Sequence, residues 1–408
     1  MIVLSSPFRL FLTLALIIDN EAFTNPFHFH SGSTHSLCSE TQHSAFKRNR
    51  LTHSATKKDS NDSCLDTNLE YQEETTLDES KGIGFYIHIP YCRRRCRYCD
   101  FAIVPVGKDS LKENERFLDM DEKYKTALLK EVQLLAASLK TKRNLKSIYF
   151  GGGTPSLAPI STIRAIMDSI FNSGKFDLDD NAEITMEMDP GTFDLKHAEE
   201  LRQIGFNRIS LGVQSFDDRI LENIGRVHRL QDIKDAVNII KMVFGEEANY
   251  SIDLISGLPD LTCAKWAETL DMALSLTPPP AHLSLYDMQI EMNTVFGEWY
   301  TEQIIDDDED ESEDRSAKVG RENTLNLPSI QNINKNILPL PTPDDCAFMY
   351  KYASGYLSAK GFEHYEISSY ARVVAKSEEF NEKANSKRSI HNQIYWDTEG
   401  DWCGKFFV

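Results

Sequence analysis

The chain has 408 residues, 41% of them hydrophobic and 26% charged, with a formal net charge of −19. That length holds one large domain with appendages, and so acidic a chain is poorly suited to tracking a nucleic-acid backbone. Its eight cysteines are too sparse for a small disulfide scaffold. Three cluster at 92, 96 and 99, and the others (38, 64, 263, 346, 403) are scattered.

Met1 to Ile18 is apolar apart from Arg9, too short and too early for a membrane span, and reads as a signal-peptide core. Phe23 to Lys58 is rich in Ser, Thr and His and carries Lys47, Arg48, Arg50, Lys57 and Lys58 against few acids, which is transit-peptide composition. Residues 1–58 are therefore expected to be a targeting presequence. Joined at Glu21-Ala22-Phe23, the two parts resemble the bipartite presequences of algae with complex plastids. That implies an organelle, a plastid first and a mitochondrion as the alternative, and no integral span in the mature protein. Residues 59–82 are acidic and polar and read as a linker.

A regular alternation follows. Strands are expected at 85–89, 147–150, 183–187, 208–213, 251–255 and 282–286. Helices are expected at 118–139, 160–171, 195–204, 217–224, 230–244 and 264–276. Strands alternating with helices predict a parallel sheet with right-handed crossovers. Polar groups recur at the C-terminal strand ends, where barrel-type folds build their sites. The expected fold is α/β, a partial (β/α)6 barrel core over 83–300, with a flat doubly wound sheet as the alternative. The acid run Asp306–Asp314 and an Asn/Pro-rich stretch make 301–340 a disordered insertion by composition. Order is expected to return with a helix at 344–360 followed by an ordered stretch at 362–367, while 406–408 shows no clear terminal element.

The strongest chemical signal is Cys92-Arg-Arg-Arg-Cys96-Arg-Tyr-Cys99, just after a strand. A structural zinc wants four protein ligands, and no fourth is evident. Three thiolates suit a cubane cluster with one iron left open. Arg93, Arg94, Arg95 and Arg97 are expected to favour thiolate over thiol. Gly151-Gly152-Gly153-Thr154-Pro155 follows the next strand, and its bare backbone and amides suit close approach to a ligand. Glu187, Gln214 and Asp253 fall near other strand ends, where they line a mouth for a small polar ligand or are structural groups satisfied inside the barrel.

Tyr86-Ile-His-Ile-Pro-Tyr-Cys92 through Cys99, Gly151–Pro155, Glu183-Ile-Thr-Met-Glu187, Gly212-Val-Gln-Ser-Phe216 and Gly257-Leu-Pro259 together resemble the oxygen-independent coproporphyrinogen oxidase (HemN) branch of radical S-adenosylmethionine (SAM) proteins. The resemblance implies a 4Fe–4S cluster on Cys92, Cys96 and Cys99, with SAM on the fourth iron. It implies SAM contacts from Tyr86, Tyr98, Gly152, Gly153, Thr154, Glu187, Gln214, Arg226 and Asp253, and an electron-donor protein. HemN enzymes carry a further cysteine two residues after the last cluster ligand, and here Phe101 stands there. Cys99-Asp100-Phe101 and His391-Asn-Gln-Ile-Tyr395-Trp396 resemble instead the HemW group of heme chaperones. That implies heme as a ligand, with His391 as an axial iron ligand or else a structural histidine, and a heme-accepting partner protein. Such proteins continue past the histidine motif into a glycine-rich strand and a small helical domain, so 341–408 reads as a partial C-terminal HemW-like region. Three functions are thus expected in competition: a heme chaperone, a coproporphyrinogen III oxidase acting through a 5′-deoxyadenosyl radical, and an inactive relative that keeps its cluster.

Overall fold

The computed structural model describes residues 82–107, 114–300, 337–374, 387–396 and 405–406. The expected presequence, almost all of the linker and most of the acidic insertion lie outside these residues. In chain order the elements are β1 (Ile83–Ile89), β2 (Tyr91–Cys92), β3 (Val104–Pro105), α1 (Glu115–Ser138), β4 (Arg143–Gly152), α2 (Ile160–Asn172), β5 (Phe176–Met188), α3 (Leu195–Ile204), β6 (Arg208–Gln214), α4 (Asp218–Asn223), α5 (Leu230–Phe244), β7 (Tyr250–Ser256), α6 (Cys263–Ser275) and β8 (His282–Asp287). After them come α7 (Pro343–Ala359), β9 (Phe362–Glu366), β10 (Ser369–Arg372), α8 (Ile390–Trp396) and β11 (Lys405–Phe406).

The six expected strands form a parallel run β1-β4-β5-β6-β7-β8, and the chain adds to both of its edges. On one side β10 pairs antiparallel with β8 and with β9. On the other β11 pairs parallel with β1, supplying the terminal element that the sequence did not show. Both additions cover strand edges that would otherwise be open for pairing. Among the described residues the sheet has nine strands in the order of an open, partial (β/α)6 barrel.

Strand period decides what faces inward. Ile184 meets the C-cap of α3, and Phe150 packs on Phe206 at 5.3 Å, so these positions face the helices. The alternate positions face the lumen and are polar. Register places Gly84, Ser147 and Glu183 in one row and Tyr86, Tyr149, Thr185 and Arg208 in the next. Glu187, Ser210, Ser251 and His282 follow, then Gly212, Asp253 and Ser284. Closed eight-stranded α/β barrels fill the lumen with Val, Ile and Leu; the polar lumen here leaves a place for polar guests.

The two ends of the lumen differ. At the C-terminal strand ends lie the cysteine and glycine loops. At the N-terminal ends α8 packs against β1, β4 and β5. Glu183 fastens it, accepting from Ser389 Oγ at 3.0 Å and from the backbone N–H groups of Ile390 and His391 at 3.1 and 3.2 Å. A carboxylate there satisfies orphan donors of the first turn. Glu183 is itself paired with Arg208 at 3.3 Å, and both side chains are buried.

Candidate active site

The short β2–β3 pair closes the cysteine loop, with Val104 N on Pro90 O and Val106 N on Cys92 O, both at 2.8 Å. His88, inside the lumen, bonds the Ala102 carbonyl through Nε2 at 2.9 Å and steadies the loop's return. The thiols of Cys92, Cys96 and Cys99 are half-buried and line one cavity of about 530 Å³. A second hollow of about 540 Å³ lies on the outer helices between Leu129 and Lys175, far from this chemistry.

The four arginines bond mainly to backbone carbonyls, and of them Arg95 also favours the Cys99 thiolate. Arg93 donates to Gly191 O at 2.8 Å, and Arg94 to Gly225 O and Arg226 O at 2.6 and 2.7 Å. Arg95 donates to Cys99 O and Phe101 O at 3.0 and 2.9 Å. Arg97 donates to Asn223 O at 2.5 Å and lies 4.9 Å over the Trp299 ring. They staple the loop to neighbouring carbonyls. Burial pushes the Cys92 thiol up to about 12 and raises Cys99 as well, with Arg95 opposing the latter only in part. Burial thus favours the thiol over the thiolate at Cys92 and Cys99.

The glycine turn also departs from expectation. Gly152 N donates to Glu187 Oε2 at 3.0 Å, Gly153 N to Ile89 O at 2.9 Å, and Thr154 N to Tyr91 O at 2.6 Å. These amides serve the protein rather than a ligand. A Cβ on Gly153 would stand 2.7 Å from the Pro90 and Tyr91 carbonyls, so bareness there lets the turn nest against the cysteine loop.

Around the same cavity stand Tyr98, Gly152, Gly153, Thr154, Glu187, Gln214, Arg226 and Asp253. Gln214 holds φ +65 at a bulge in β6, a strained backbone of the kind that collects at functional sites. Glu187 accepts from Tyr149 Oη at 2.7 Å, and Asp253 accepts from Ser210 Oγ at 3.0 Å. Burial raises Glu187 to about 7 and Asp253 to about 6. Tyr98 is half-buried beside Cys96 and Arg226, and desolvation raises its hydroxyl pKa. Tyr86 lies one row deeper, facing His88 at 3.4 Å.

Arg226 is buried, pairs with Asp189, donates to Gly212 O at 2.8 Å, and approaches Cys96 Sγ at 3.8 Å. Its Nε is buried without a partner. An unused donor on a side chain that reaches the Cys96 sulfur fits a carboxylate-bearing ligand held next to a cluster. Among the described residues no group of three His, Cys, Asp or Glu side chains is arranged around a single ion. A cubane needs no such convergence, since each thiolate takes its own iron. Asp189, the residue just past the end of β5, was not singled out from the sequence.

His391 is brought elsewhere. It is buried at the N-terminal end of the lumen, with Nδ1 at 3.1 Å from Ser147 Oγ and its ring stacked 4.6 Å from Tyr149. Burial, then the Arg208 charge, lowers it to about 3, so it is neutral. The side chains of Tyr395 and Trp396 lie outside the described ones.

Glu187 and Asp253 both bind protons more tightly in the folded chain than their usual values near 4.5 and 3.8. Their contribution to stability is therefore full at low pH and is lost as pH rises through about 6 to 7. Urea midpoints are expected to fall between about pH 5 and about pH 8, and to fall less in Glu187→Gln. A decline as steep in that variant would show that Glu187 is not the group responsible.

The Radical SAM superfamily model matches residues 86–273. The heme chaperone HemW of Escherichia coli is 30% identical over 324 residues, covering 79% of this chain and 68% of that protein. The chain belongs to the HemW family of radical SAM proteins. The heme chaperone HemW of Synechocystis sp. is 36% identical over 312 residues, covering 76% of this chain and 61% of the relative. The chain thus spans 61% and 68% of the lengths of these two relatives. The solved structure of coproporphyrinogen III oxidase (HemN) from Escherichia coli, a radical SAM enzyme, matches with a TM-score of 0.54 at 24% identity, covering 72% of this chain and 56% of that one. That match supports the HemN-like barrel. Among the described residues no helix is long and apolar enough to cross a membrane.

Proposed function

We propose that this chain is a radical SAM protein of heme metabolism that binds heme and passes it to an acceptor protein. The observation that carries this reading is the likeness to heme chaperones named HemW over 76–79% of the chain. A 4Fe–4S cluster on Cys92, Cys96 and Cys99 with SAM on its open iron would supply one-electron reduction of the sulfonium. The chain's own residues bind and orient. Glu187 and Asp253 suit an amino group and ribose hydroxyls, the Arg226 Nε–H suits a carboxylate, Tyr98, Gln214 and the Gly152–Thr154 turn complete the walls that exclude water, and Tyr86 lies one row beneath them. An electron-donor protein is the implied partner. The composition of residues 23–58 supports import into an organelle, a plastid first and a mitochondrion as the alternative.

We assign His391 as the heme-iron ligand. Since the imidazole is buried between Ser147 and Tyr149, ligation requires α8 to leave its seat. The test is an anaerobic heme titration of the reconstituted protein. Saturable binding is expected in wild type and at least a tenfold weaker affinity in His391→Ala, about 1.4 kcal/mol. Equal binding by both would remove His391 from the site. The oxidase alternative predicts protoporphyrinogen from coproporphyrinogen III, SAM and dithionite. Phe101, 68% exposed at the cavity rim where that branch carries a cysteine, weighs against it.

A further inference from the structure

Asp189 is the first residue past β5 and lines the cavity with the three thiols. Its carboxylate oxygens go different ways. Oδ2 accepts from Thr154 Oγ1 at 3.1 Å, while Oδ1 pairs with Arg226 Nη2. Thr154 Oγ1 in turn lies 3.6 Å from Cys92 Sγ, and Arg226 Nη1 lies 3.8 Å from Cys96 Sγ. One carboxylate therefore holds two side chains, from two separate loops, that each touch a different cysteine sulfur.

The position is closely built. A Cβ on Gly212 would stand 2.7 Å from Asp189 Oδ1, so only glycine leaves the carboxylate room. The Asp189 carbonyl accepts from Thr192 N at 3.1 Å and from Thr192 Oγ1 at 2.6 Å. Asp189 is 24% exposed and Arg226 9%, so the pair faces the cavity rather than bulk water. With both present, the local charge is near zero. Without the carboxylate, a buried cation would keep only the Gly212 carbonyl and the Cys96 sulfur, with no counter-charge from Asp189.

We infer that Asp189 is a positioning residue that compensates Arg226 and thereby sets how readily a cluster on Cys92, Cys96 and Cys99 takes up an electron. This rests on the cluster reading above. A cation left uncompensated favours the more negative, reduced cluster; Asp189 opposes that and keeps the cluster a strong one-electron reductant.

The test is a redox titration of the reconstituted full chain with dithionite and mediators, followed by electron paramagnetic resonance of the reduced cluster. One electron from dithionite converts oxidised to reduced cluster, and no other bond changes. Asp189→Asn keeps the shape and removes the charge. It is expected to move the reduction equilibrium about tenfold toward the reduced form, about 59 mV for one electron, with iron content unchanged. Asp189→Glu is expected to bring the equilibrium back toward wild type. Gly212→Ala alters no charge but displaces Oδ1 and is expected to shift the equilibrium in the same direction. A merely structural role would lower iron content without moving the potential. An unmoved potential in a cluster-bearing Asp189→Asn overturns the inference; should that variant lose its cluster, an unmoved potential in Gly212→Ala does so. A wild type that takes up no cluster would instead overturn the cluster reading itself.

Discussion

Serine in place of Cys92, Cys96 or Cys99 is expected to give a folded chain that takes up no 4Fe–4S cluster. The three thiols line one cavity on one short loop, and each is free. Each thiolate would hold its own iron, so the loss of one leaves two irons without protein ligands. Serine is close in shape but keeps its proton. The loop is held by arginine-to-carbonyl bonds and the β2–β3 pair rather than by the thiols, so stability is expected to change by less than about 1 kcal/mol. Iron and sulfide per chain after anaerobic reconstitution measure the effect, with circular dichroism reporting the fold. Cys263→Ser and Cys346→Ser, which lie away from the cavity, are expected to reconstitute normally. Full iron in any single loop variant would remove that cysteine from the ligand set.

The largest stability effect is expected at Glu183. Its carboxylate, 4% exposed, meets Arg208, 3% exposed, and accepts three hydrogen bonds from the start of α8. Glu183→Gln leaves a buried guanidinium without its counter-charge, a loss of about 3–5 kcal/mol. Replacing both partners by Glu183→Gln with Arg208→Met is expected to recover much of it, because the stranded cation is gone. Urea midpoints read both, and proteolysis near α8 is expected to speed up in the single variant. A loss below about 1 kcal/mol would mean that water reaches this end of the lumen and solvates Arg208.

Residues 195–204 and 230–244 are helices over the spans that sequence predicts, because their stop signals are local. Asp194 caps the first and Gly205, at φ +117, ends it. The strands β4 and β5 run further than their apolar cores because Arg143-Asn144 pairs with Phe176-Asp177, and polar residues there hide the period. Strands β10 and β11 rest on pairings that no local pattern announces. At the site, the cysteines, the glycine turn and the carboxylates were legible as groups at one end of consecutive strands. The arginines' carbonyl bonds were not legible because charge pattern does not tell which carbonyls lie within reach, though Arg95 favours the Cys99 thiolate as expected. The place of His391 depends on contact with Ser147, a partner 244 positions away in the chain.

Tyr149 touches both ends of the lumen at once. Its hydroxyl donates to Glu187 at the cavity, and its ring lies on His391 in α8. A ligand that draws Glu187 toward itself pulls on the same side chain that seats the helix. Occupancy above and release below then become linked variables, and linkage is reciprocal. Whatever factor SAM contributes to the opening of α8, an opened α8 returns to the affinity for SAM. Amide exchange in α8 with and without SAM reads the size of that factor.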